Sequence, residues 1–150
     1  MRPESIRSVL VVAHKTAATQ ALHDAVGDSA ARGPAWFHLL VPNPGLGGWR
    51  PSDTSHPDVT EGEQVLALAL PLIEEAAGAP VTGSVSKRHD PMDAIEEALH
   101  DGDYDEIILS TLPRSVSRWL HVDLPRRVAH LGLPVTTVVA SDRAAASDVV

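Results

Sequence analysis

The chain has 150 residues, of which 43% are hydrophobic and 3% aromatic, and its formal net charge is −8. This size and apolar content predict one folded domain with an aliphatic core. The excess of acid argues against nucleic acid or an anionic membrane as a partner. The chain has no cysteine, which excludes disulfides and is typical of a cytoplasmic protein. No apolar run is long enough to predict a signal peptide or a membrane span.

The first third of the chain predicts a strand, a helix and a second strand. The β-branched run Ser8–Ala13 is typical of a buried parallel strand. Thr16 is a candidate cap for a helix whose apolar positions recur at helical spacing. The segment Arg32–Pro34 should end that helix. The next apolar run, Ala35–Val41, predicts the second strand.

A long loop should separate the second strand from the second helix. The stretch Pro42–Asp58 is polar and rich in proline and glycine. Thr60 and Glu63 have the spacing of a capping box, which predicts that a helix begins there. Pro71 lies inside the helical pattern and should kink it.

The second half of the chain predicts three more strands and two more helices. Pro80–Ser86 alternates as a half-buried strand does, and Asp90 followed by proline is a strong helix start. "EIILS" predicts the fourth strand, and Asp123 is the expected cap of a helix that reaches His130. Pro134–Ala140 predicts the fifth strand. Strands and helices thus alternate, which predicts a single α/β domain, residues 1–140, with helices on both faces of a parallel sheet. Residues 141–150 should form a flexible tail.

A long segment carries a family resemblance. "RHDPMDAIEEALHDGDYDEIILSTLPRSVSRWLHVDLPRRVAHLGLPVTTVVA" resembles the universal stress protein family in its order of helix start, Asp-rich turn, strand, ligand loop, helix and final Pro-Val strand. "VLVVAHKT" is similar to that family's first strand and turn. The resemblance implies an adenine-nucleotide alpha hydrolase-like fold: a doubly wound, five-stranded parallel sheet in the order 3-2-1-4-5. It also implies a ligand crevice between the first and fourth strands, and a homodimer often formed through the last strand.

The ligand loop departs from the family pattern. Many members bind ATP with a G-x-x-G pair and a later G-[ST] pair, whereas residues 110–125 contain no glycine. His14 stands where the family has a short acid, and Val122-Asp123 stands near the G-[ST] pair. A helix N-terminus attracts anions through its free N–H groups. The Asp123 carboxylate would occupy that place and Pro125 removes a donor, so we expect ordinary ATP binding to be lost.

Hydroxyl and guanidinium groups can bind phosphate without glycine. This predicts a rebuilt site for a small anionic ligand, either a nucleotide or another phosphate-bearing molecule. In the alternative, Ser115 caps a short helix and the arginines lie in solvent. Trp119 is expected to pack against the sheet rather than to stack on a base. The candidate ligand-binding residues are His14, Lys15, Thr16, Ser110, Thr111, Arg114, Ser115, Arg118 and Asp123.

Catalysis and metal binding have little support in the sequence. G-x-S-x-G and the P-loop pattern are both absent, and the histidines His14, His89 and His121 lack metal-binding spacing. We therefore expect no catalytic residues, no metal and no firmly required cofactor. The first hypothesis is a non-enzymatic ligand-binding or stress-adaptation protein. The second is a dimeric interaction module with a vestigial crevice, using its dimer surface or the loop at 42–58. A nucleotide hydrolase is the weakest hypothesis.

Overall fold

The structure is a computed structural model that describes residues 6–14, 16–42, 57–88, 90–112, 119 and 123–140, with backbone alone at 57–61. The predicted tail at 141–150 and most of the predicted loop at 42–58 lie outside the described residues. Five parallel strands form one sheet in the order β3-β2-β1-β4-β5. Their bounds are β1 Arg7–Val12, β2 Ala35–Val41, β3 Val81–Val85, β4 Glu106–Thr111 and β5 Val135–Val139. The predicted α/β class, parallel pairing and strand order are confirmed.

Helices cover both faces of this sheet. Within the described residues they are α1 Gln20–Ala31, α2 Pro57–Ala77, α3 Pro91–Asp101 and α4 Leu124–Ala129. Helices α1 and α2 pack on one face with Val9 and Val11 of β1, whereas α3 and α4 pack on the other face with Leu10 and Val12. Strand β1 is therefore apolar on both faces, as the β-branched run predicted. No helix in the described segments is long and apolar enough to cross a membrane.

Two helix starts differ from the sequence prediction. Helix α1 begins at Gln20, and its cap is Thr19, whose Oγ1 accepts from the Leu22 N–H at 3.4 Å. The prediction of Thr16 as the cap was wrong, because the chain makes a turn between the strand and the helix. Helix α2 begins at Pro57, so Thr60 lies inside it and is not its cap. A proline suits the first position of a helix, since the N–H it lacks would have no partner there.

Other local predictions hold. Asp90 caps α3 through a hydrogen bond from the Met92 N–H to its Oδ1 at 2.8 Å, with Pro91 in the first turn. The alternation in β3 is confirmed: Val81 is buried on the α2 side, and Thr82 and Ser84 are exposed. Helix α2 continues through Pro71, and the kink expected there stays a prediction.

Candidate functional site

The sheet has a topological switch point between β1 and β4, which are neighbours at its centre. The chain runs from β1 towards one edge through β2, and from β4 towards the other edge through β5. Val12 of β1 is paired with Leu109 of β4. The residues that follow these two positions therefore meet at the carboxyl ends of the strands, where α/β sheets bind their ligands. We call this place the crevice.

A turn after β1 brings a hydroxyl group back over the end of β4. The Ala17 N–H donates to the His14 carbonyl, and the Thr19 N–H donates to the Thr16 carbonyl, each at 3.1 Å. The turn leaves Thr16 Oγ1 at 2.6 Å from Ser110 Oγ, a hydrogen bond between residues 94 positions apart. Both side chains are buried, with exposed fractions of 2% and 1%. The structure thus joins two of the residues that the sequence assigned to the ligand site.

One hydrogen of this hydroxyl pair has no acceptor among the described residues. Each hydroxyl has one hydrogen, and one hydrogen suffices for the bond between Thr16 and Ser110. No further hydrogen bond of either hydroxyl is present within the described residues. The second hydrogen is therefore free to point at an acceptor. A phosphate oxygen or a ribose oxygen in the crevice would supply one.

His14 and Thr111 border the same place. His14 follows β1 directly and is buried, with 7% exposed. Thr111 is the last residue of β4, is buried, and donates its hydroxyl hydrogen to the Leu112 carbonyl at 3.1 Å. Its hydroxyl oxygen can still accept a hydrogen bond from a ligand. The floor of the crevice is therefore polar, although the strands that lead to it are apolar.

Asp123 stands directly before α4, as the sequence predicted. It occupies the N-cap position of α4, but its side chain makes no capping hydrogen bond. Its backbone is left-handed, with φ 59° and ψ 39°, whereas a side-chain cap requires an extended conformation. The carboxylate is exposed and lies 3.9 Å from Arg126 Nη1. Asp123 is thus the N-cap residue of the predicted helix, but its carboxylate does not cap that helix and contributes an exposed negative charge beside the helix start.

Four further candidates, Lys15, Arg114, Ser115 and Arg118, lie outside the described residues, as do His89 and His121. Trp119 is half-buried and packs against the core on the α3 and α4 side, in agreement with the packing prediction. Among the described side chains, no group of three histidines or carboxylates is arranged to hold a metal ion. The sequence reasoning missed Thr19 as the helix cap. Its position directly before the helical apolar pattern was the available signal.

Solved structures with the same fold are universal stress proteins. The universal stress protein from Archaeoglobus fulgidus superposes with a TM-score of 0.63 at 17% identity, over 88% of this chain and 93% of that one. The protein from the same organism in complex with dAMP gives 0.56 at 18% identity, covering 89% and 97%. A universal stress protein in complex with cAMP gives 0.55 at 16% identity, covering 92% and 100%.

No protein-family model and no curated protein matches the amino-acid sequence of this chain. The likeness therefore shows the fold: this chain has the α/β architecture of the universal stress proteins.

Proposed function

We propose that this protein is a universal stress protein-like, non-enzymatic binder of a phosphate-bearing small molecule, which it holds in the crevice between β1 and β4. The observation that carries the proposal is the buried bond between Thr16 and Ser110. This bond supports the proposal because both hydroxyls lie at the switch point of the sheet and one of their two hydrogens has no acceptor among the described residues. Ligands of α/β sheets bind at such points. The proposed role is adaptation to stress through ligand binding, in the cytoplasm.

A mononucleotide is the first ligand to test. The solved structures with this fold include one with dAMP and one with cAMP. A triphosphate fits the proposal less well, because the loop after β4 has no glycine to present a series of N–H groups. The exposed carboxylate of Asp123 beside the start of α4 adds repulsion. The ligand would therefore carry one phosphate and use its ribose or base for the remaining contacts.

A second candidate function rests on how deeply the crevice residues are buried. His14, Thr16, Ser110 and Thr111 all have exposed fractions of 7% or less. A crevice filled by its own side chains would be vestigial, and the protein would then act as a dimeric interaction module. The homodimer is part of both proposals.

A thermal-shift titration with AMP, cyclic AMP, ADP, ATP and inorganic phosphate, with and without magnesium, separates the two functions. A ligand that binds only the folded state raises the melting temperature with its concentration. At a hundred times Kd, we expect a rise of about 5–10 °C for a chain of this size. The rise should come from AMP or cyclic AMP and be larger than that from ATP. No rise with any of these compounds would favour the interaction module.

Matched variants test whether the ligand that raises the melting temperature binds in the crevice. Thr16→Val and Ser110→Ala each remove one hydroxyl of the pair and should reduce the shift. Ser84→Ala removes an exposed hydroxyl of β3, the edge strand two positions away from β1, and should not reduce the shift. If all three variants respond as the parent does, the ligand binds elsewhere. Steady phosphate release from ATP that His14→Ala abolishes would contradict the non-enzymatic part of the proposal.

A further inference from the structure

Helix α2 is apolar on the side that faces away from the sheet. Its inner side packs in the core through residues such as Ala69 and Ile73. Its outer side carries four apolar residues at helical spacing, Ala67, Leu68, Pro71 and Leu72, and all four are exposed. Leu68 is 72% exposed and Leu72 is 39% exposed. A helix on the surface of a soluble domain normally has a polar outer side, so this side has the composition of a contact surface.

The same layer of the protein is strongly acidic. The sequences of α1 and α2 contain seven carboxylates, two in α1 and five in α2, and no lysine or arginine. Asp24, Asp28 and Glu75 border an open hollow of about 510 Å³ between the two helices, and Leu72 forms part of its wall. Asp24 accepts a hydrogen bond from Gln20 Nε2 at 2.8 Å. None of the three is in an ion pair within the described part of the chain.

His23 of α1 also borders the hollow. Its Nε2 atom is buried with no hydrogen bond to the described residues. Buried polar atoms are nearly always hydrogen-bonded. This atom is closed off from the open hollow, so it is not a contact for an occupant. The carboxylates that border the hollow therefore determine which kind of occupant it favours.

The charge of this surface decides which occupant it fits. A second copy of the chain would bring acidic α1 and α2 layers together without any lysine or arginine from these helices to offset them. Nucleic acid and anionic membranes would also be repelled. A segment with apolar residues on one side and lysine or arginine around them would match both the exposed leucines and the carboxylates.

We propose that the outer side of α1 and α2 docks a basic amphipathic helix from a partner protein. Leu68 and Leu72 receive its apolar residues, as in helix-in-groove recognition. Asp24, Asp28 and Glu75 bind its cationic side chains. This surface lies on one face of the sheet, whereas the crevice lies at the strand ends, so the proposal is independent of the proposed function.

The test measures binding of a synthetic peptide to the full chain by fluorescence anisotropy. The probe is a labelled amphipathic helix of leucine and lysine, about 18 residues or five turns long. Its control has glutamate in place of every lysine. The lysine peptide should bind, with an affinity that falls as salt rises, and the glutamate peptide should not. Failure of the lysine peptide to bind would overturn the proposal.

Variants locate the peptide on the surface. Leu68→Ser with Leu72→Ser should weaken binding by about tenfold or more, because both side chains are proposed anchors. Asp24→Asn, Asp28→Asn and Glu75→Gln together should weaken binding and flatten its salt dependence. The matched control neutralises three exposed acids of α3 through Asp93→Asn, Glu96→Gln and Glu97→Gln, and it should leave binding unchanged. All substituted side chains are exposed, and an unchanged denaturation midpoint verifies that each variant folds.

Two results would contradict the docking surface. Equal weakening by the α3 control would show that the peptide responds only to net charge. If the leucine variant instead converts a dimer of the protein into a monomer and leaves peptide binding intact, then the surface is covered by a second copy.

Discussion

A charged cluster joins β1, the end of α1 and the start of β4. Arg7 Nη1 donates to Glu106 Oε1 at 2.7 Å and to Ser29 Oγ at 3.0 Å, and Arg7 Nη2 donates to the Gly33 carbonyl at 3.1 Å. Arg32 adds a longer contact to Glu106 at 3.3 Å. The Glu106 side chain is only 11% exposed. Burial of the Glu106 carboxylate to this extent is tolerated because Arg7 and Arg32 pair with its negative charge.

We expect Glu106→Gln to lower the free energy of unfolding by about 1–3 kcal/mol, because Arg7 would lose its charged partner. Urea denaturation measures the change. The matched control is Glu97→Gln, which breaks the exposed pair between Arg88 Nε and Glu97 Oε2 at 3.4 Å. An exposed pair of this kind contributes about 0–1 kcal/mol. Equal effects of the two variants would show that the buried pair of Glu106 contributes no more to stability than an exposed pair does.

His38 is held between two hydroxyls on the exposed side of β2 and β3. Its Nδ1 lies 2.7 Å from Thr82 Oγ1, its Nε2 lies 2.9 Å from Ser84 Oγ, and its ring is 6.4 Å from that of Tyr104. Partial burial lowers the pKa of His38 below its ordinary value, because desolvation disfavours the charged form. The unfolded chain therefore takes up this proton more readily than the folded chain does.

The sign of the resulting pH dependence follows from linkage. The stability that neutral His38 contributes is fully present above the ordinary histidine pKa of about 6.5, and it is lost as pH falls below that value. We expect His38→Gln to lose less stability than the parent between neutral pH and pH 5. Denaturation midpoints across that range measure the difference. Identical pH profiles for the two proteins would contradict the lowered pKa.

Individual site residues were partly predictable. The family resemblance assigned Thr16 and Ser110 to one site, because it makes β1 and β4 neighbours and the carboxyl ends of neighbouring parallel strands meet. The bond between them was not predictable, since it depends on a turn between residues 14 and 19 whose pattern resembled a helix start. Asp123 is the N-cap residue that the sequence predicted, but its side chain makes no capping bond because its backbone is left-handed. Residue type indicates which groups can cap a helix, whereas backbone conformation decides whether they do.

Helix α2 packs close to β3 where the strand has no side chain. A Cβ atom added at Gly83 would lie 2.5 Å from Leu66 Cδ1 and 3.2 Å from Leu70 Cδ2. Gly62 of α2 makes the reciprocal approach, since a Cβ there would lie 2.7 Å from Val85 Cγ1. The two glycines let the helix rest directly on the strand.

Gly83→Ala should lower the free energy of unfolding by about 1–3 kcal/mol, because packed leucines must move to admit the methyl group. The cost should shrink when Leu66→Ala is also present, since that change removes the atom nearest the added methyl group. A double-mutant cycle with chemical denaturation measures the coupling. A full cost in the Leu66→Ala background would show that Leu66 is not the obstacle.

Strands were easier to predict from the sequence than helix starts. The predicted second strand has the observed bounds, Ala35–Val41, and the others differ by one residue at their ends. Short β-branched runs have few alternative interpretations. Helix starts at Thr16 and Thr60 were wrong, because threonine caps recur by chance and Pro57 offered a competing start. The apolar outer side of α2 was visible in "VLALALPLI", but only the folded sheet shows which side of the helix faces solvent.

The arrangement of the strands and helices in the whole chain could not be predicted from the periodicity of apolar residues alone. Alternating strands and helices predicted a parallel sheet with two helical layers. The order 3-2-1-4-5 came from the family resemblance, because periodicity does not determine which strands are neighbours. Both helical layers have an excess of acid, since α1 and α2 contain seven carboxylates and no lysine or arginine, and α3 and α4 contain four carboxylates and two arginines. The fold brings Asp24, Asp28 and Glu75 together around the hollow between α1 and α2.

We propose that the homodimer forms through β5. This strand is at the edge of the sheet, with backbone groups on one side not paired within the sheet, and Val139 is 43% exposed. Light scattering after size exclusion should give twice the chain mass. Val139→Glu should give the monomer mass, since it places like charges at the interface between the two copies. Leu68→Ser with Leu72→Ser is the control and should remain dimeric. A parent that runs as a monomer would contradict this proposal.

The most direct test of the crevice proposal is a crystal structure of the protein grown with AMP. We expect density for the nucleotide at the carboxyl ends of β1 and β4, with an oxygen of the ligand within hydrogen-bond distance of the Thr16 or Ser110 hydroxyl. A crevice filled by the protein's own side chains, or a nucleotide bound at another surface, would contradict it.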